Sequence, residues 1–204
     1  TSPFLYAAHS YSATGLTPNR LVRMRYESGA LGQPQILLDG IPGAGIHDGS
    51  RLVIGPDRLL YMTTGDASNP DLAQDQNALA GKVLRLTLDG APAPGNPFGN
   101  ATYSYGHRNP QGLAWDPVSG RLWETEHGPT AGDEVNIIER GHNYGWGVAT
   151  KGTQAGITKS SEPGMDEPIV YYIPTFAPAG ISFLTGDRYP AWTNTSLFVG
   201  GLAG

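Results

Sequence analysis

Three features of this 204-residue sequence predict an all-β fold of radially repeated four-stranded blades, a β-propeller. First, Gly (29) and Pro (17) are abundant while only 15% of residues are charged, a balance suited to short strands joined by many turns. Second, almost no segment carries an apolar period of 3.6 residues. Runs such as 82–88 instead alternate polar and apolar side chains and end at Asp89-Gly90, the pattern of a half-buried strand closing on a turn. Third, a Leu–aromatic pair recurs as Leu5-Tyr6, Leu60-Tyr61, Leu122-Trp123 and Leu197-Phe198, at intervals of 55, 62 and 75 residues. These intervals are long for a blade but compatible with loop insertions.

The middle two pairs share a prelude. A short apolar strand and a Pro/Asp turn precede each, Arg51 to Asp57 in one case and Gly112 to Pro117 in the other. The stretch from Leu72 to Leu79 is long enough for one helical turn but reads better as a loop. The last copy is blurred, with a strand at Gly180 to Phe183 and a long turn through Tyr189-Pro190 before Leu197. Together these elements amount to about four blades, either closed as a small propeller or forming part of a larger one. A two-sheet sandwich is the alternative that the pattern also fits.

The apolar share, 39%, is large and evenly spread, which excludes disorder. A net charge of −5 with 13 Lys and Arg and no basic runs argues against a nucleic-acid partner, whose phosphates need a concentrated basic patch. The absence of cysteine removes disulfides, thiolate metal sites and cysteine nucleophiles. No stretch approaches the roughly 18 apolar residues that span a membrane. No secretory leader is visible at Thr1-Ser2-Pro3, so the chain is expected to start inside something larger or after a processed segment.

Three clusters carry candidate chemistry. His47, in the loop Ile46 to Arg51, is placed to act as a general base, because an imidazole titrates near neutrality. A loop histidine bonded to its neighbours is the plainer reading of these residues alone. Arg108, Asn109 and Gln111, held between Gly106 and Gly112 with Pro110, form a polar fork suited to a planar, anionic, oxygen-rich ligand. A turn stabilised by Asn109 with a solvated Arg108 explains it equally well. The third cluster runs from Glu124 to Glu134 through Gly128-Pro129 and Asp133. It offers carboxylates and turn carbonyls, the oxygen donors that calcium takes. Its spacing is not that of an EF-hand, no second His or Cys accompanies His127 for zinc, and a solvated acidic turn remains open. Phosphate-binding loops, dinucleotide fingerprints and nucleophile elbows are absent.

Taken in this order, the clusters resemble the glucose/sorbosone dehydrogenase family, which includes soluble aldose sugar dehydrogenases that use pyrroloquinoline quinone (PQQ). The likeness runs from about His47 to Leu202 and is most specific at 104–114, at Glu126-His127-Gly128-Pro129 and at Gly132-Asp133-Glu134. Asn143-Tyr144-Gly145-Trp146, Thr64-Gly65-Asp66 and Ala73-Gln74-Asp75 support it. The resemblance implies a six-bladed propeller, of which residues 1–204 supply about four blades, truncated at both ends relative to the family. It implies oxidation of an aldose sugar to the lactone by hydride transfer to calcium-bound PQQ, with an external electron acceptor and a periplasmic or secreted location. His47 then resembles the base that removes the anomeric hydroxyl proton. Arg108, Asn109 and Gln111 resemble the cofactor grip, with Leu202 and Ala203 beside it. Gly128 and Pro129 resemble carbonyl ligands of a catalytic calcium, with Asp133 supporting their loop. Glu134 and Tyr144 resemble a second calcium site between blades. Two positions depart from the family: Ile46 stands where some members carry an acid, and Ala203 where a cofactor-contacting Lys is usual. A non-catalytic calcium-stabilised propeller and a calcium-dependent propeller lactonase are the rival readings.

Overall fold

In the computed structural model, which describes residues 3–203, fourteen strands form four sheets. Blade 1 contains β1 (Phe4–Ser10), β2 (Asn19–Glu27), β3 (Ala30–Leu31) and β4 (Gln35–Ile41), with β2 pairing all three others. Blade 2 is the antiparallel meander β5 (Gly49–Ile54), β6 (Leu60–Thr64), β7 (Lys82–Leu86) and β8 (Thr102–Tyr105). Blade 3 repeats it with β9 (Pro110–Trp115), β10 (Leu122–Glu126), β11 (Asp133–Ile138) and β12 (Val170–Tyr172). Blade 4 comprises the hairpin β13 (Pro178–Phe183) and β14 (Leu197–Gly201). The first strands β1, β5, β9 and β13 lie side by side in chain order, which is the radial arrangement that the repeat predicts. No helix among the described residues is long and apolar enough to cross a membrane.

The Leu–aromatic pairs at Leu60, Leu122 and Leu197 each open the second strand of a blade, β6, β10 and β14. Leu5-Tyr6 instead lies in β1, the first strand of its blade, so the interval of 55 residues is not a blade repeat. The stretch read as a loop after β6 contains a single helical turn, α1 (Pro70–Gln74). Asn69 caps it by accepting from the N–H of Asp71, and Pro70 sits where its missing N–H costs nothing.

Blade 2 also differs from the expected half-buried pattern, because both faces of its sheet are covered. Leu60, Met62, Leu84 and Leu86 pack with Leu21 and Ile41 on the blade 1 side. Tyr61 and Val83 pack with Leu113, Leu122, Ile138 and Tyr144 on the blade 3 side. The polar members of β7, Lys82 buried and Arg85 partly so, have their needs met. Lys82 donates to the carbonyls of Leu72, Ala73 and Ala80 at 2.8, 3.1 and 2.6 Å. Arg85 donates to Asp57 and to the phenol oxygen of Tyr61. Alternation in this strand thus marks two different neighbours rather than core and water.

In an antiparallel meander, alternate connections emerge at the same edge of the sheet. The β4–β5, β6–β7, β8–β9, β10–β11 and β12–β13 connections therefore share one face of the propeller. Backbone bonds join them there: Ala67 N–H donates to His47 O, Asp66 N–H to Arg108 O, and His127 N–H to Asn109 O.

Candidate active site

His47 ends a turn between β4 and β5 and lies in the left-handed region, with φ of +65°, a conformation that costs a non-glycine residue roughly 1–2 kcal/mol. The opposing chain holds it there. A Cβ on Gly65 would lie 1.8 Å from the His47 carbonyl oxygen, so only glycine permits this approach. His47 Nδ1 is 2.8 Å from Asp66 Oδ1. Since the carboxylate accepts, Nδ1 carries the hydrogen and Nε2 keeps a lone pair. Asp66 is itself fixed, accepting from Ser68 N–H at 2.8 Å and from the Trp146 indole at 2.7 Å. The imidazole is half-buried and its carboxylate partner is sealed. This arrangement presents an oriented proton acceptor.

Arg108 and Asn109 occupy the tight β8–β9 connection, and Gln111 follows in β9. Arg108 donates from Nη1 to the His127 carbonyl at 3.0 Å, and its guanidinium carbon lies 5.1 Å from the centre of the Trp146 ring. Burial lowers its pKa, an effect opposed by Asp66, Glu126 and Asp133. Its Nε is buried without a partner, a donor for which an anionic ligand is the natural complement. Asn109 is more committed than its sequence setting suggests. Its Oδ1 accepts from Gly49 N–H at 3.3 Å and from Gln111 Nε2 at 2.8 Å, so Gln111 and the start of β5 are locked to it.

The β10–β11 loop carries Gly128 and Pro129. A Cβ on Gly128 would fall 2.3 Å from the Gly132 carbonyl oxygen and 2.5 Å from that of Ala131, so this turn gathers backbone oxygens where no side chain fits. Asp133 holds the loop. Its Oδ1 accepts from Gly128 N–H at 2.9 Å. Its Oδ2 accepts from Phe176 and Ala177 N–H at 2.8 Å each and from the Thr175 hydroxyl. A carboxylate so fully engaged supports the loop rather than binding a cation. His127 is similarly occupied: Nε2 donates to Pro178 O at 2.8 Å, which leaves Nδ1 as the acceptor facing Asn109. Burial lowers its pKa, so it stays neutral and neither nitrogen is free for a metal.

Leu202 and Ala203 follow β14, and their N–H groups donate to Ala177 O and Phe176 O at 3.0 and 3.1 Å. Asp133 thus links them through one loop to Gly128, although Leu202 is 73% exposed. Glu134 and Tyr144, ten residues apart in sequence, line one pocket with Lys151, Ser161, Glu162 and Asp166. Burial and the neighbouring Glu126 raise the Glu134 pKa, which favours a cation or a proton beside it. The Tyr144 phenol is spent, donating to Ile137 O at 2.6 Å and accepting from Glu139 N–H at 2.8 Å.

The structure therefore brings His47, Arg108, Asn109, Gln111 and the Gly128-Pro129 turn to one mouth and sets Glu134 with Tyr144 in a second pocket. Asp66 and Trp146 are the members that the residue patterns did not single out for a role. Each lies in a segment noted for its resemblance, but nothing local ties Asp66 to a histidine 19 residues earlier or Trp146 to an acid 80 residues earlier. The donor set fits the groups that the resemblance implies: an unpaired buried arginine donor for an anion, and a turn of carbonyl oxygens for a hard cation.

Comparison with known proteins agrees in extent and kind. The family model described as glucose/sorbosone dehydrogenase matches residues 1–204. The aldose sugar dehydrogenase YliI of Escherichia coli is 39% identical over 170 residues, covering 78% of this chain and 46% of the relative. A solved glucose dehydrogenase superposes with a TM-score of 0.93 at 36% identity, over 99% of this chain and 62% of that one. The PQQ-bound form of an aldose sugar dehydrogenase from Streptomyces coelicolor gives a TM-score of 0.80 at 38% identity, over 98% and 55%. The chain spans about half the length of the curated relatives it matches.

Proposed function

Since the chain belongs to the glucose/sorbosone dehydrogenase family, we propose that it forms the base-bearing and cation-holding part of an oxidoreductase that converts aldose sugars to lactones. The cofactors of this reading are PQQ and calcium, the final electron acceptor is external, and the protein works in the periplasm or outside the cell. When bound, PQQ would supply the hydride acceptor and calcium the Lewis acidity that the oxidation needs. The chain's own residues do the remaining work. His47 Nε2 accepts the anomeric hydroxyl proton, and Asp66 keeps the ring in the tautomer that allows it and steadies the imidazolium that results. Arg108 binds the cofactor's anionic oxygens through its free Nε, with Gln111 at its side and Asn109 holding both to β5. Leu202 and Ala203 flank the cofactor without the cationic contact that a lysine would add. The carbonyls of Gly128 and Pro129 hold the calcium, and Asp133 preserves their turn. Glu134 and Tyr144 would hold a second calcium that ties blades together.

The observation that carries this reading is the His47–Asp66–Trp146 chain of hydrogen bonds, 2.8 and 2.7 Å long, at the same mouth as Arg108. Its orientation leaves one imidazole lone pair for a substrate. The test is reconstitution with calcium and PQQ, followed by reduction of a dye by glucose and other aldoses. Quinone binding with sugar-dependent dye reduction is expected. Quinone binding without turnover would return the chain to a binding module, and the absence of both would end the proposal.

A further inference from the structure

A second cluster of polar side chains lies behind the mouth, between blades 2 and 3, and none of the roles above uses it. Glu124 and Glu126 project from one face of β10, opposite Asn136 and Glu134 on β11, and His107 meets them from the β8–β9 connection. His107 and Glu124 are wholly buried and Glu126 is 5% exposed. Ligand atoms of His107, Glu124 and Glu126 lie within 4.8 Å of one another. Four buried atoms here have no hydrogen-bond partner: His107 Nδ1, Glu124 Oε1, Glu126 Oε2 and Asn136 Oδ1. Each carboxylate already uses its other oxygen. Glu126 Oε1 accepts from Arg108 N–H at 2.9 Å, and Glu124 Oε2 accepts from Asn136 Nδ2 at 3.0 Å.

We infer that this cluster binds one divalent transition cation of the zinc or manganese class, ligated by His107 Nδ1, Glu124 Oε1 and Glu126 Oε2 with Asn136 Oδ1 beside them. Geometry supports it. His107 Nδ1 and Glu126 Oε2 are 3.3 Å apart yet form no hydrogen bond. Two ligands about 2.0–2.1 Å from a tetrahedral zinc stand about 3.3–3.4 Å from each other. The free nitrogen is the one a metal would use, because Nε2 lies 2.9 Å from Ser104 Oγ, a partner that sets the tautomer and the ring angle. Tyr144 stacks on the imidazole at 4.7 Å and 22° and closes it from solvent.

Charge balance points the same way. The nearby cations are directed elsewhere, Lys82 to three carbonyls and Arg108 to the His127 carbonyl. Protons alone satisfy the cluster poorly, since Glu124 Oε1 has no hydrogen-bond partner and the 3.3 Å approach of Glu126 Oε2 to His107 Nδ1 forms no hydrogen bond. A nitrogen among the ligands favours zinc or manganese over calcium and magnesium, which take oxygen. Such a cation would brace β10 against the Arg108 turn, independently of the redox reading.

The direct test is elemental analysis of untagged natural protein, unfolded with chelator and refolded with calcium plus a slight excess of zinc or manganese, then freed of loose metal by gel filtration. Retention of about one equivalent of the transition metal per chain is expected. Refolding with cobalt should give visible ligand-field bands. Glu124→Gln and His107→Gln should each cut retention at least tenfold, and the result for the parent protein stands without either variant. Retention below a tenth of an equivalent, no cobalt bands, or calcium as the sole metal retained would each overturn the site. Dye reduction by sugar is a separate measurement, so failure here leaves the proposed reaction standing.

Discussion

Blades 2 and 4 are built from the same kind of hairpin yet sit in opposite environments. Every residue of β6 is buried, as is all of β7 except Arg85. No residue of β14 is buried, and its Phe198 and the preceding Trp192 are about half exposed. A blade gains its core from the two sheets that flank it, so a strand's burial is decided by neighbours rather than by its own apolar count. The candidate chemistry follows the same division. Asp66, Arg108, Asn109 and Asp133 sit where blades 2 and 3 are clamped on both sides, and each is fixed by several bonds. Leu202 and Ala203 hang from the exposed hairpin by backbone bonds alone.

The sharpest way to probe that difference is at the base. In the protein loaded with calcium and PQQ, His47→Ala is expected to lower kcat by up to about 10⁴-fold, with quinone affinity nearly unchanged in a titration. A parallel loss of affinity would mean that His47 belongs to the cofactor grip. The contrast between blades is tested next by cavity mutations followed in urea. Leu84→Ala should cost about 2–5 kcal/mol, while Phe198→Ala should stay near about 0.5 kcal/mol. Equal costs would break the comparison.

Asp66→Asn should reduce kcat by about 10²-fold through misorientation of His47. It should add little on the His47→Ala background, because two residues acting as one unit are not additive. The smallest effect is electrostatic. Burial holds the Tyr61 phenol above its ordinary pKa, helped by Tyr103 and Asp57. An unfolded phenol ionises near pH 10 while the native one keeps its proton, so the unfolded state releases protons first and stability falls as pH rises past about 10. Tyr61→Phe should flatten that fall by under about 1 kcal/mol at about pH 10.5, read from unfolding midpoints against pH.

Much of this was legible in the sequence because propeller blades repeat, and because short motifs fix tight turns. The second-strand pairs at Leu60, Leu122 and Leu197 mark blades correctly, and Arg108-Asn109 with Gly128-Pro129 fall where the turns bring them together. Leu5-Tyr6 misleads, since a Leu–aromatic pair satisfies any strand with an apolar neighbour. The half-buried reading of 82–88 fails because Lys82 and Arg85 look solvent-directed until their carbonyl and carboxylate partners are in place. Asp66 and Trp146 escaped assignment for a related reason. Their roles depend on the β4–β5, β6–β7 and β11–β12 connections meeting, which no local pattern encodes. Glu124 and Glu126 stand in the acidic cluster that the sequence offers, but nothing local brings His107 to them until blade 2 is laid against β10.

The buried ammonium of Lys82 also makes the protein its own timer. The chain has three lysines, Lys82, Lys151 and Lys159. The side chain of Lys159 stands 54% open to water, while Lys82 is sealed and triply bonded. An acylating reagent will mark Lys159 at the pace of its own chemistry and Lys82 only when blade 2 opens. The acylation rate of that one side chain, read by mass spectrometry, therefore reports how often the centre of the propeller comes apart.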